Sequence, residues 1–429
     1  MQTASVNARS TGLGSATAGC LTLLAGIGLT AAAVQADPIK LTFSGWGNNG
    51  VIKPIIARFN QDHPDIQIEN AQGDSTKVLA QFAAGSPPDV YRVSWAEVGS
   101  FIHQGLAMNL DPLINRDRAE FDLADFWPPA LQAFQWQGHQ WAMPHLIGGN
   151  LIWLNLDLLS QDGVAPPGPN WTYANDFQPM AQKLTRDAGG DGVVDEWGFG
   201  NPNHWAFWMG LTYSDGGSTF NADQTQFAVD SPASVAAIEY IRQLVDVLHA
   251  SPGPADRVGD LKLWQSGKAA MSLAPAVIPT WGNVPFHYQV VPNPMGSVRR
   301  VMMGGPQPLL IAPGIPQSHV EAAWTFLKWI NQPDIEAWIS NTVKQFPPTR
   351  RSSVAFVDDP NIRVFGGQME NQVLFTTLMY NQITASFHKH LDEVLNGKLA
   401  PAAAAAQIES ELNAQLSDEM AKWHNHKVG

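Results

Sequence analysis

Three glycines, Gly45, Gly47 and Gly50, spell G-x-G-x-x-G between a strand-like run and a helix-like one, and Glu69 stands near where a dinucleotide fold holds its ribose-binding acid. In such a loop the glycines let the backbone touch a pyrophosphate. Here Trp46 sits between the first two and crowds that approach. What remains is a loop at the carboxyl end of a strand, leading to a helix N-terminus with unpaired N–H groups, the usual ligand position in open α/β sheets. Trp46 beside Asn48 and Asn49 suits a sugar, because an indole face stacks on C–H groups while amides bond to hydroxyls. No cofactor is expected.

The run from Asp187 to Glu196 has the look of half a calcium loop. An EF-hand wants an acid or amide at its third position and a bidentate Glu at its twelfth, and those positions hold Gly189 and Gly198. The spacing therefore predicts a turn before a strand, and no metal. Neither H-E-x-x-H nor G-x-S-x-G occurs, so zinc-peptidase and serine-hydrolase signatures are missing. The pairs His388/His390 and His424/His426 have a two-residue spacing that separates them on a helix. Glycoside hydrolysis needs only two carboxylates, so a secreted carbohydrate-active enzyme stays open as an alternative.

These residues need a frame. Ile39, Leu41 and Phe43 alternate with polar neighbours at the period of a strand, then Val51, Ile52, Ile55, Ile56 and Phe59 recur at helical spacing, with Pro54 tolerable only in or near a first turn. Ile66 to Glu69 and Pro88 to Val93 read as two further strands separated by a helix through Val78, Leu79 and Phe82. Strands alternating with helices imply a parallel sheet and an α/β fold. Later helices are signalled by Ser231-Pro232 before Val235, Ile238, Ile241, Val245 and Leu248, by Val320, Ala323, Trp324, Leu327 and Ile330, and by Pro401 before Ile408, Leu412, Leu416 and Met420. Two stretches punctuate the chain, Pro166 to Pro169 and the Pro/Gly-rich region from Pro275 to Pro316.

The chain has 429 residues, room for two domains. Residues 1–36 read as a signal peptide: Arg9 gives positive charge, Leu21 to Val34 is apolar, and Val34-Gln35-Ala36 is a small-residue cleavage site. Cys20, the single cysteine, precedes that apolar core, the wrong order for lipid attachment, and cleavage near Ala36 would leave neither a disulfide nor a thiol ligand. No later segment is long and apolar enough to span a bilayer. The formal charge of −13 becomes −14 once Arg9 is removed (−13 − 1), a sign that argues against nucleic acid or anionic lipid as partner.

Arg58-Phe59-Asn60 with His63-Pro64-Asp65-Ile66, and then Ala83 to Val90, resemble the "F-N…H-P-D-I" and "A-A-G-x-x-P-D-V" segments of the family 1 extracellular solute-binding proteins of ABC importers, the group that includes the maltose-binding protein. Trp141-Ala142-Met143-Pro144 with Leu154-Asn155 resembles "Y-A-L-P…Y-N", and Trp264 to Met271 "F-x-x-G-K-A-A-M". Ala322 to Lys328 with Phe346-Pro347-Pro348-Thr349-Arg350 resembles "A-W-x-F-L-K…L-P-x-R". The resemblance covers nearly the whole chain beyond residue 36.

It implies a two-lobe, type II periplasmic-binding-protein fold, each lobe a mainly parallel sheet flanked by helices, joined by hinge crossovers. One lobe would comprise 37–145 plus 285–331 and the other 146–284 plus 332–429. The implied function is capture of a small-molecule carbohydrate, a short oligosaccharide or glycoside, by a periplasmic monomer that passes it to the transmembrane subunits of an ABC permease, without chemistry. A polyol phosphate such as glycerol 3-phosphate is the alternative, with Arg350 and Arg351 as the cationic anchor. Of sixteen tryptophans, most belong to a core, as Trp324 does on its apolar helix face. Trp46, Trp95 and Trp281 fall where the family places cleft aromatics, while Trp205 and Trp208 fit either pocket or packing. Asp74, Ser94, Asn150, Gly304, Gly305 and Arg350 fall where members present polar contacts. Ala96 replaces an acid of the maltose-binding branch, which puts maltose itself in doubt.

Overall fold

The structure is a computed structural model that describes residues 37–45, 49–221, 225–259, 261–276, 284–344, 346–374 and 379–426. Its strands are β1 (Ile39–Ser44), β2 (Ile66–Asn70), β3 (Val90–Tyr91), β4 (Gln135–Trp136), β5 (His139–Gln140), β6 (Met143–Ile147), β7 (Asn150–Asn155), β8 (Trp197–Phe199), β9 (Ala269–Pro275), β10 (Tyr288–Val291), β11 (Met302–Gly304), β12 (Pro306–Ile311) and β13 (Gln372–Leu374). The expected signal peptide lies outside the described residues.

The opening alternation forms as its period requires: Leu41 and Phe43 are fully buried, while Lys40 and Thr42 face out. β1 pairs in parallel with β2 on one side and β3 on the other. The helix Asn49–Asp62 connects β1 to β2 and buries Val51, Ile52, Ile55, Ile56 and Phe59 against the sheet. Pro54 lies one turn inside it rather than at its start, where its missing N–H costs a single bond to the N-terminal turn.

The first sheet has the order β2-β1-β3-β12-β6, and the second β10-β7-β9-β8. Neither is mainly parallel, a correction to the expectation drawn from the resemblance. β12 runs antiparallel to both β3 and β6, and β7 antiparallel to both β9 and β10. The cause is the chain path: β7 and β12 begin at a crossing between the sheets, so they run away from the edge at which β1, β3 and β6 end. The expected boundaries shift for the same reason. β10 pairs with β7, so residues 285–291 belong to the second half, and the chain passes to the first at Gly304–Gly305. The helix Pro333–Val343 buries Ile335, Ile339 and Val343 in the first core together with Phe346, so that half extends past residue 331.

Each sheet is covered on both faces. Over the first lie Phe59, Trp324, Phe326 and Ile339 on one side, and Val78, Tyr91, Phe101 and Phe134 on the other. The second separates a layer of Phe177, Phe199, Phe207 and Trp208 from one of Trp153, Trp264 and Phe365. Trp208 is fully buried and stacks on Phe387 at 4.4 Å and 5°, so it is packing and not pocket. Among the described residues no helix is long and apolar enough to cross a membrane.

Candidate ligand-binding site

The carboxyl ends of β1 and β3 set the first wall. Gly45 has φ +127°, and a Cβ built there would lie 2.2 Å from the Arg92 carbonyl oxygen, so only glycine lets the loop after β1 lie this close to β3. Beyond β3 come Ser94, Trp95 and Glu97. The Glu97 carboxylate reaches back to the Ser94 N–H at 3.3 Å and accepts from the Ser75 hydroxyl, which draws the N-terminus of the helix Ser75–Ala83 against this loop. Asp74 caps that helix by accepting the Lys77 N–H at 3.1 Å, and it stays exposed. The Glu97 carboxylate thus ties the helix that Asp74 caps to the Ser94–Trp95 loop.

The second wall is the N-terminus of the helix Trp205–Ser214. His204 is its cap: Nδ1 accepts the Ala206 N–H at 3.2 Å, which leaves the ring proton of the neutral form on Nε2, and the imidazole stacks on Trp205 at 5.8 Å and 29°. Trp205 meets Trp95 from the opposite half with ring centroids 6.3 Å apart and planes at 37°. The two halves therefore touch through aromatic side chains at the carboxyl edge of the first sheet.

Between the walls run the crossing strands. The Gly148 N–H donates to the Gly305 carbonyl at 2.9 Å, and Gln372 Nε2 donates to the Gly148 carbonyl at 2.8 Å. Asn150 is buried and donates through Nδ2 to the Met303 carbonyl at 3.1 Å, while Asn293 Nδ2 reaches the carbonyls of Asn150 and Val301 at 3.0 and 2.9 Å. Under this layer Arg92 donates to Gln307 Oε1. The neighbouring His145 is pushed down to about 3 by burial and then by the Arg92 charge, so it is neutral at physiological pH.

The expected site residues divide as follows. Trp95, Trp205 and Gly305 come together, with Gly304 preceding Gly305 on the crossing and Ser94 preceding Trp95, while Asp74 caps the helix whose Ser75 bonds to Glu97. Asn150 lies beneath, its amide committed to the backbone of β11. Trp46, Asn48 and Trp281 lie outside the described residues; Asn49 opens the first helix, with its side chain outside them too. Arg350 is corrected. Its side chain is only 5% exposed, with Nε donating to the Asn331 carbonyl, Nη1 donating to the Asp122 carbonyl at 2.9 Å, and the guanidinium 4.1 Å over the Phe126 ring. It lines a separate hollow of about 520 Å³ with His63, Lys328 and Trp329, which shares no residue with the Trp95–Trp205 contact. The reason is local: the crossing Phe346–Arg350 is bound on both sides, and the guanidinium is the clamp. A phosphate ligand would lose the Arg350 part of its proposed anchor, while the half-exposed Arg351 lies 5.0 Å over the Trp127 ring and 3.8 Å from Glu370.

Sequence reasoning missed His204 and Glu97. Glu97 carried a readable signal, since Ser94-Trp95-Ala96-Glu97 has the S-x-x-E spacing of a capping box. His204 carried none beyond its place before an apolar helix. The Asp187–Glu196 run closes as a turn: Asp187 accepts from the N–H groups of Gly190 and Gly192 at 2.6 and 2.7 Å, and Asp195 from Ala188 at 2.9 Å. Among the described residues no cluster of three His, Cys, Asp or Glu side chains is arranged for a metal.

The family model described as "Bacterial extracellular solute-binding protein" matches residues 46–337. A lipoprotein of uncharacterised role from the oleD 5' region of Streptomyces antibioticus is 26% identical over 337 residues, 73% of this chain and 71% of the relative. An ABC substrate-binding protein from Listeria monocytogenes, solved in complex with cycloalternan, superposes with a TM-score of 0.76 at 22% identity, covering 89% of this chain and 100% of the other. The sugar-binding protein MalE from Xanthomonas citri gives 0.78 at 18% identity, covering 90% and 99%. At such identities the structures speak for the fold, which is the two-lobe α/β arrangement described above. The match over 46–337 covers more than half of the sequence, and the protein belongs to the bacterial extracellular solute-binding family.

Proposed function

We propose that this protein is the carbohydrate-binding component of an ABC importer, exported with residues 1–36 removed near Ala36, acting in the periplasm as a monomer that delivers its ligand to a membrane permease. The observation that carries the reading is the Trp95–Trp205 contact, with the bonded pair Ser94 and Glu97 flanking Trp95 in the chain and His204 stacked on Trp205. Indoles offer apolar faces to sugar C–H groups, and carboxylates and hydroxyl bond to sugar hydroxyls, each bond contributing a net ~0.5–1.5 kcal/mol. The cycloalternan bound to the Listeria neighbour, and the description of the Xanthomonas neighbour as sugar-binding, support the same ligand class.

Hinge closure around a ligand, for which periplasmic binding proteins are a standard example, then presents the permease with a surface that the open form lacks. The ligand sets the population of that form only through its preference for it over the open one. No conversion is proposed, and a search for a cleaved product tests that reading. Nucleic acid is not a partner of a chain this acidic.

The test is mass spectrometry of what copurifies with the native protein, followed by calorimetric titration with neutral oligosaccharides. Trp205→Ala should weaken the bound saccharide by at least ~1 kcal/mol. Binding of glycerol 3-phosphate with no response to any neutral sugar, or appearance of a cleaved product, would overturn the reading.

A further inference from the structure

Trp95 stands where three parts of the chain meet. A Cβ built on Gly305 would lie 3.0 Å from Cδ2 and Cε3 of the Trp95 indole, so the ring rests directly on this crossing. Gly304 has φ +157°, and a Cβ there would lie 2.4 Å from the Gly148 carbonyl oxygen and 2.7 Å from the Gly149 Cα. A Cβ on Gly149 would lie 2.6 Å from the Met302 sulfur. Two glycine pairs on different crossings are thus locked backbone to backbone, and the Gly148 N–H to Gly305 carbonyl bond at 2.9 Å ties them. The far side of the same crossing meets the helix that carries Trp205, where a Cβ on Gly210 would lie 3.9 Å from Met303 Cγ.

The spacing of the indoles bears on their role. A sugar ring between two aromatic faces needs two carbon contacts of about 3.5–4.0 Å, or roughly 7–8 Å between ring centres. The observed 6.3 Å leaves no room for one. We infer that Trp95 is a closure clasp: seated on Gly305 and abutting Trp205, it holds the two halves together, while the saccharide lies beside this pair and not between its rings. Gly304 and Gly305 then act as positioning residues that let the crossing approach Gly148–Gly149 and the indole, and they supply no polar contact to the ligand. The clasp rests on the reading that this site takes its ligand by closure. It adds that part of the affinity belongs to a contact between halves, gained only in the closed arrangement.

The experiment is a double-mutant cycle with Trp95→Leu and Trp205→Leu in the full protein, read by small-angle scattering without ligand and by calorimetry with maltotriose as the probe. Without ligand, each single variant is expected to show a larger radius of gyration than the parent, and the double variant no larger than the singles. With maltotriose, each single variant should lose about tenfold in affinity and the double about the same tenfold, because both remove one contact. Gly305→Ala, which removes no side chain able to touch a sugar, should reproduce the loss; far-UV circular dichroism checks its fold, and the leucine cycle stands without it. Multiplicative losses in the double variant, or scattering profiles equal to the parent, would overturn the clasp. A parent that binds no neutral saccharide would instead sink the transport reading and leave the ligand-free scattering to decide the clasp.

Discussion

Glu336→Gln tests whether one buried carboxyl sets the pH dependence of this fold. Glu336 is fully buried in the helix Pro333–Val343, where its two oxygens accept from the Thr349 hydroxyl and, at 2.9 Å, from the Arg350 N–H. Burial raises its pKa from 4.5 to about 7, against the downward pull of the Thr349 hydroxyl, the backbone N–H groups and the Arg350 charge. A folded value above the unfolded one means the folded protein binds the proton more tightly. The associated stability is fully present below pH 4.5 and is lost as pH rises through about 7. A shift of that size corresponds to about 3 kcal/mol between those limits. Glutamine is neutral at every pH, but its amide nitrogen must face one of the two donors, which costs about 1–3 kcal/mol. Parent and variant are to be compared by urea unfolding at steps from pH 4.5 to 8.5, with slope and midpoint reported at each. We expect the parent's advantage to be largest at the acid end and to shrink by about 3 kcal/mol, vanishing or reversing near pH 8. Other titrating groups are common to both proteins and cancel. A parent–variant gap that stays constant across the range would refute the reasoning.

Two further outcomes follow from the placements of charge. Arg350→Met keeps much of the volume over Phe126 but leaves the Asn331 and Asp122 carbonyls without their donor, so it should lower stability by about 1–3 kcal/mol while leaving saccharide affinity within about twofold. Titration calorimetry beside a urea curve checks it, and an affinity loss without a stability loss would return Arg350 to the site. Added calcium should leave the unfolding temperature unchanged, because Asp187 and Asp195 already accept backbone N–H groups of their own turn. A concentration-dependent rise, of the kind mass action imposes on any ion that binds only the folded form, would contradict the turn assignment.

How far the sequence could be read depended on whether the signal was local. The period-two run of β1 and the 3.6-residue run after it depend only on which face meets the core, and Leu41, Phe43, Ile52 and Phe59 lie where that period puts them. Trp95 and Trp205 were legible as aromatic residues beside a strand end and a helix start, but their contact is a tertiary fact that no spacing carries, since 110 residues separate them. Arg350 shows the opposite limit. A cation in a motif that ends a crossing reads as a ligand anchor until its neighbours are known, and those neighbours, Asp122, Phe126 and Asn331, come from two other segments. The strand directions failed for a related reason: alternation of β and α predicts parallel pairs within one sheet, but it is silent on the strands that leave one sheet for another. β7 and β12 each start at a crossing, and that origin alone reverses them. The same crossings bring Gly148–Gly149 against Gly304–Gly305, so one feature of the chain path sets both the antiparallel strands and the glycine contact on which Trp95 rests.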